Sequence, residues 1–287
     1  MATASQGYPF LKGHGTENDF VLLPDHDGSG WEGLSGEKVR ARVRALCDRR
    51  AGIGGDGVLR VIRSSVIAPE LADEAEWFMD YRNSDGSISE MCGNGIRVFA
   101  RHLVDAGLAD AGSGIPIGTR AGVKVLHVNG DQITADLGTP KLLGLSTISI
   151  RDWSWSARHV DMGNPHAVVF LDNPGDLDPH GPVGPLLDPP THDPEEYPHG
   201  VNVEFVVRVA DRHVRMRVHE RGSGETRSCG TGACAVMVAT AEADGAPRDT
   251  PYVVDVPGGR LTVTWTADDR VLLAGPAVIV AEGVTNL

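Results

Sequence analysis

Two stretches of this chain carry one device. Residues 81–100 read YRNSDGSISEMCGNGIRVFA, and residues 220–237 read ERGSGETRSCGTGACAVM. In each, a cysteine is followed by glycine at the next and third positions and then by an apolar run. Asn83 stands nine positions before Cys92, and Glu220 nine before Cys229, with a polar loop containing glycine and serine filling the interval. The copies lie close to half the chain apart. That repeat predicts two similar halves, each running strand, polar loop, cysteine, helix. It favours a duplicated α/β unit of the α+β kind, with strands around a central helix, over one long doubly wound sheet, whose repeated helical crossovers the short strand-to-strand links do not allow. The expected halves are 1–138 with 275–287, carrying Cys92, and 139–274, carrying Cys229.

The rest of the chain supports a folded, water-soluble protein. Its 287 residues are 41% apolar and 23% charged, which suits one or two globular domains. A formal net charge of −13 offers no general basic field to a phosphate backbone, so nucleic acid is not an expected partner. No apolar run approaches a membrane span, and the start MATASQGYPFLKGHG lacks a charged segment followed by an apolar one. A cytoplasmic location without membrane contact is the expectation. Four cysteines in such a chain make no disulfide framework, leaving the thiols reduced.

β-Branched or alternating runs predict strands at 20–23, 58–62, 77–82, 122–128, 132–137, 166–171, 201–209, 214–220, 252–256 and 260–266. Helical periodicity predicts three helices. In the first, 38–49, Val39, Val43, Leu46 and Cys47 share a face, so Cys47 is read as core. The second, Cys92 to Ala106, turns Ile96, Phe99, Ala100 and Leu103 inward and stops at Gly107. The third, Cys229 to about Asp244, is apolar on almost every side and must be wrapped by protein, which makes Cys234 a packing residue. The proline-rich stretch 172–200 is expected to be an ordered loop over the second half.

Two motifs lead elsewhere by letters only. GIGGDG (52–57) fits a dinucleotide-binding pattern, but a helix precedes it and a strand follows, the reverse of what that fingerprint requires. His180, His192 and His199 have no metal-ligand spacing and no cysteine nearby, so no metal is expected.

The paired cysteines carry the chemistry. A thiol at a helix N-terminus meets unsatisfied N–H groups and the positive end of the dipole, both of which favour thiolate. Glycines beside it let backbone N–H groups approach a small anion such as a carboxylate. Two such helix starts aimed at one cleft place a sulfur on each side of an α-carbon. Inverting a stereocentre by proton exchange needs a base on one face and an acid on the other, and a thiolate with a thiol supplies both. N–H groups around the carboxylate stabilise charge as the proton leaves, without an electron-sink cofactor. Pyridoxal phosphate would need a Schiff-base lysine, and neither Lys12, Lys38, Lys124 nor Lys141 lies in a phosphate-binding context, so no cofactor is expected.

Together HGTENDFVLL, GIGGDG, YRNSDGSISEMCGNGIRVFARHL, MGNPHAVVF, GVNVEFV and ERGSGETRSCGTGACA resemble the diaminopimelate epimerase family, in the same order and over nearly the whole chain. The resemblance implies two pseudo-symmetric halves, each a barrel-like, mostly antiparallel sheet around a central helix, with the active site between them. It implies Cys92 and Cys229 as the acid/base pair, with Gly93, Asn94, Gly230 and Thr231 giving amides to the reacting carboxylate. Glu220 would meet the reacting amino group, and His166 and Glu220 would influence the thiol pKa values. Asn18, Asn83, Asn164, Asn202 and Arg221 would surround the rest of the amino-acid substrate. LL-2,6-diaminopimelate would go to the meso form, for lysine and peptidoglycan supply, and the family suggests a homodimer. One position departs: many members carry a substrate-contacting glutamine where this chain has Gly57. Other readings are a racemase or epimerase of another amino acid, such as histidine or proline, a non-catalytic small-molecule binder, and a redox sensor forming a Cys92–Cys229 disulfide.

Overall fold

The computed structural model describes residues 7–287, so the first six residues of the start read for a leader lie outside the described residues. The chain divides into two compact units, one running up to Ala135 and taking back Pro276–Leu287, the other Asp136–Gly275.

The first unit contains β1 (Tyr8–Gly15), β2 (Asn18–Pro24), α1 (Gly36–Cys47), β3 (Gly57–Arg63), the single turn α2 (Ser64–Ile67), β4 (Trp77–Asn83), α3 (Gly93–Asp105), β5 (Ile115–Thr119), β6 (Gly122–Asn129) and β7 (Gln132–Asp136). The second contains β8 (Lys141–Ile150), β9 (Trp153–Asp161), β10 (Pro165–Phe170), the short β11 (Thr191–His192), β12 (Asn202–Ala210), β13 (His213–Glu220), β14 (Gly224–Thr226), α4 (Gly230–Asp244), β15 (Thr250–Val256), β16 (Gly259–Trp265) and β17 (Val271–Pro276). A last strand, β18 (Val278–Thr285), pairs with β1 and so returns the chain to the first unit.

Strand pairing shows the duplication directly. The first unit runs β18–β1–β2–β3–β4–β5–β6–β7, with β2/β3 and β4/β5 parallel and every other neighbour antiparallel. The second runs β8–β9–β10–β12–β13–β15–β16–β17, with β10/β12 and β13/β15 parallel and the rest antiparallel. The series of pairings is the same. The C-terminal strand β18 therefore takes the place in one unit that β8 takes in the other.

A parallel pair needs a crossover. Helices α1, α3 and α4 supply three of the four, and the proline-rich segment supplies the one between β10 and β12. That segment is ordered because it buries Leu177, Val183, Leu186 and Tyr197 in the cluster that holds Val169, Val203 and Phe205. Helix α3 packs against β1, β2, β3, β4, β6 and β18, and α4 against β9, β10, β12, β13, β15 and β16. A sheet whose strands reach one helix from so many places must curl around it. In α3 Ile96, Phe99, Ala100 and Leu103 are buried as the periodicity predicts, and in α4 every residue from Gly232 to Ala241 is buried.

The sequence reading differs from the structure at several elements. The first helix starts two residues earlier than expected and ends at Cys47, because the Asp48 carboxylate accepts from the N–H groups of Arg50 (2.7 Å) and Ala51 (2.8 Å) and turns the chain away. Beyond the two-residue β11 and three-residue β14, alternation does not predict strands β1, β5, β8, β9, β17 and β18. Each mixes glycine, proline, serine or charge into its run, and neighbouring strands rather than alternation hold it.

Candidate active site

In each unit the cysteine of the repeated motif is the N-cap of the buried helix. Cys92 has extended backbone (φ −139°) and its sulfur accepts from the Gly95 N–H at 3.4 Å. Cys229 repeats this (φ −120°), accepting from the Gly232 N–H at 3.3 Å. Sulfur thus does what a Ser or Asp oxygen does at an ordinary N-cap. Gly93 and Asn94 open α3, and Gly230 and Thr231 open α4. First-turn N–H groups have no acceptor within a helix and carry the positive end of its dipole.

Around Cys92 the side chains are amides. Asn18, at the start of β2, holds its carbonyl oxygen 3.7 Å from the Cys92 sulfur, which donates to it, and accepts from Asn94 Nδ2 at 3.1 Å. Asn18 Nδ2 donates to Asp56 Oδ2 at 2.7 Å. Beneath Gly95 lie Leu59 and Phe20. Asn83, at the end of β4, accepts from the Tyr81 hydroxyl at 2.8 Å and donates to Ser87 Oγ at 3.0 Å. At Gly57 a Cβ would lie 2.5 Å from the Arg82 carbonyl oxygen and 2.7 Å from a Tyr81 ring carbon. No side chain fits there, and the Tyr81 ring lies alongside.

Around Cys229 the side chains are ionisable. His166 and Glu204 are both fully buried, with His166 Nδ1 2.6 Å from Glu204 Oε1. His166 Nε2 lies 3.1 Å from Asn164 Oδ1, Asn164 Nδ2 donates to Thr231 Oγ1 at 3.5 Å, and Thr231 Oγ1 is 3.6 Å from the Cys229 sulfur. This makes a continuous run from Glu204 to the thiol. Glu204 Oε2 has no hydrogen-bond partner among the described residues. A Cβ at position 232 would come 2.7 Å from Glu204 Oε1 and 3.2 Å from the Cys229 sulfur, which is why the third residue after Ser228–Cys229 must stay bare. Glu220, at the end of β13, accepts from the Thr226 hydroxyl.

Burial pushes the Cys229 thiol well up, and the charges of Glu220 and Glu204 push it further; the Thr231 hydroxyl and the Gly232 N–H oppose. Burial also raises the Glu220 carboxyl, Glu204 adding to it and Thr226 and His166 opposing. In the first unit burial and the neighbouring Asp19 raise Asp56, while Asn18 opposes. Burial would raise Asp19 too, but hydrogen bonds from Arg49 and Lys12 outweigh it and hold that carboxyl below the usual range. Cys47 is pushed up to about 12 by burial. Cys234 is fully buried inside α4.

Within the first unit Asn18, Cys92, Gly93 and Asn94 come together, and Asn83 closes β4 beside Tyr81. Within the second, Asn164, His166, Cys229, Gly230 and Thr231 come together. Asn202 bridges by donating to the Pro165 carbonyl (3.2 Å) and accepting from the Arg221 N–H (2.9 Å). The exposed Arg221 side chain donates instead to the His199 carbonyl at 3.1 Å. Sequence reasoning missed Asp56, Tyr81 and Glu204. Glu204 has a visible signal, a lone carboxylate inside the apolar run VNVEFVV; Asp56 is hidden among the nucleotide-like letters around it. Among the described residues no group of three His, Cys, Asp or Glu side chains is placed to hold a metal ion, and no helix is long and apolar enough to cross a membrane.

The doubled sheet-and-helix unit is a fold shared with solved structures. Solved structures similar to this chain include a Bacillus anthracis phenazine biosynthesis protein of the PhzF family (TM-score 0.72, 16% identity, covering 98% of this chain and 100% of that one). An Agrobacterium vitis hydroxyproline epimerase with bound trans-4-hydroxy-L-proline also matches (TM-score 0.66, 16% identity, 98% and 92%). These likenesses establish the fold. In sequence, the diaminopimelate epimerase family pattern matches residues 10–143 and 158–280. Streptomyces coelicolor diaminopimelate epimerase is 56% identical over 96% of this chain and 94% of its own length, and that of Thermobifida fusca 46% identical over 97% and 98%. The chain belongs to the diaminopimelate epimerase family.

Proposed function

We propose that this protein epimerises LL-2,6-diaminopimelate to the meso form by two-thiol proton exchange, with Cys92 and Cys229 on opposite faces of the α-carbon. The observation that carries the reading is the repeated N-cap cysteine, each sulfur held by the N–H three residues on, in a member of this family. One sulfur, as thiolate, takes the α-proton. The electron pair left behind is delocalised into the carboxylate, where first-turn N–H groups of Gly93, Asn94, Gly230 and Thr231 stabilise it. The other sulfur, as thiol, delivers a proton to the opposite face, and the pair ends with its protonation exchanged. Glu220 receives the substrate ammonium. Asn18, Asn83, Asn164, Asn202 and Arg221 hold the remainder, the last offering two parallel donors to a distal carboxylate.

The reading includes cytoplasmic action without cofactor, as a homodimer, in the supply of lysine and peptidoglycan precursor. The test is deuterium incorporation at the α-carbon of LL-diaminopimelate in D2O with reduced protein, followed alongside meso formation. Exchange with isomerisation is expected, and absence of both would refute the reading. Because no side chain fits at Gly57, a panel of L-amino acids run in parallel separates this substrate from a smaller one on the same scaffold.

A further inference from the structure

The Asn18 amide has two ends with different duties. Its NH2 faces Asp56, and its carbonyl faces Cys92 and Asn94. An Asn side chain turned by a half rotation would exchange them and aim an N–H at the sulfur instead, so whatever fixes this amide decides whether Asn18 offers Cys92 an acceptor or a second donor beside the Gly95 N–H. Asp56 Oδ2 accepts from Asn18 and also from the Asp19 N–H (3.2 Å), while Oδ1 accepts from Arg49 at 2.7 Å. The Asp56 backbone is pinned as well, its N–H donating to the Asp19 carbonyl at 2.7 Å and its carbonyl accepting from Ser84 N–H at 3.0 Å.

We propose that Asp56, the acidic residue of the GIGGDG loop, is a positioning residue that locks the Asn18 carbonyl toward Cys92 and thereby biases this cysteine toward the protonated thiol. A carbonyl oxygen accepts from S–H and repels a thiolate, so a fixed carbonyl favours the neutral form. The Cys229 sulfur meets a Thr231 hydroxyl instead, which is free to donate. The charged and titratable groups that face Asp56 are Asp19 from β2, itself paired with Lys12 from β1, and Cys47 and Arg49 at and after the end of α1. The consequence for catalysis rests on the two-thiol reading above, whereas the bias on Cys92 does not.

The test reads the pH midpoint of Cys92 alkylation by iodoacetamide, with peptide mass analysis at Cys92, in a Cys229→Ser background. Asp56→Asn lets the new amide offer an N–H to Asn18 and frees it to turn. The Cys92 midpoint is expected to fall by about one pKa unit. Asn18→Ala, which deletes the carbonyl, should lower it similarly, and the double variant should add nothing further. Arg49→Gln removes an ion pair from Asp56 but leaves its carboxylate on Asn18, so the midpoint should stay in place. An unchanged midpoint in folded Asp56→Asn overturns the proposal. Should Asp56→Asn not fold, an unchanged midpoint in Asn18→Ala overturns it. Since no substrate enters this assay, a failed epimerisation would sink the proposed reaction while leaving this result standing.

Discussion

Cys229 stands over His166 and Glu204, whereas the corresponding places under Cys92 hold Phe20 and Leu59. The registers establish the equivalence: Leu59 pairs with Tyr81, two residues before Asn83, and Glu204 pairs with Val218, two residues before Glu220. Across the parallel pairs Phe20 aligns with Gly57 and His166 with Asn202. One backbone thus carries an apolar floor in one unit and a buried ionisable pair in the other. A buried pair is seldom retained for stability, because desolvation consumes most of the attraction. Its presence under one thiol alone gives the two cysteines different surroundings, one apolar and one ionisable.

The most severe way to break the comparison is to remove either thiol. Cys92→Ala and Cys229→Ala should each lower epimerisation by about 10³-fold or more, read as meso formation from LL-diaminopimelate. Full activity in either would end the two-thiol mechanism. Next comes an exchange of floors. His166→Phe with Glu204→Leu installs the first unit's pair in the second. Turnover should fall by about 10- to 100-fold, while thermal stability should hold or rise by about 1–4 kcal/mol, as when a buried ion pair is replaced by packed apolar side chains. Glu204→Leu alone should instead cost stability.

A pH series sharpens the contrast. Glu220 is raised above its ordinary value near 4.5, so the folded state binds the extra proton and stability declines as pH rises from about that value. Asp19 is lowered from 3.8, so its contribution is present above that pH and is lost as acid protonates it. Denaturant melts across pH should show Glu220→Gln flattening the first slope and Asp19→Asn the second. The smallest effect belongs to the other two cysteines. Cys47→Ala and Cys234→Ala should leave turnover within about twofold and cost about 1 kcal/mol, since both are buried side chains outside the site.

The duplicated motif made much of this legible in advance. Helix formation after Cys92 and Cys229 follows from local chemistry, an N-cap acceptor, glycine and then an apolar run, which acts within a few residues and needs no partner. The strongly alternating strands were legible for the same reason. The proline-rich crossover was read as ordered from composition, but its role as the counterpart of α1 appears only when β10 and β12 are seen to pair in parallel. The weak strands β1, β8 and β18 were invisible because their pairing partners lie far away in sequence. Pro276–Leu287 joins the first unit through β18 lying on β1.

At the site the division is similar. The sequence by itself determined the placement of a thiol at each helix start and of amides and carboxylates at strand ends. Only the tertiary structure decided what each of them faces. Asp56 reaches Asn18, Glu204 reaches His166, and Tyr81 reaches Asn83 beside a glycine that admits no side chain. The physical reason is range. Capping and periodicity are settled over a turn or two of chain, while the direction of a hydrogen bond on a buried sulfur is set by side chains that only sheet pairing brings within three or four ångströms.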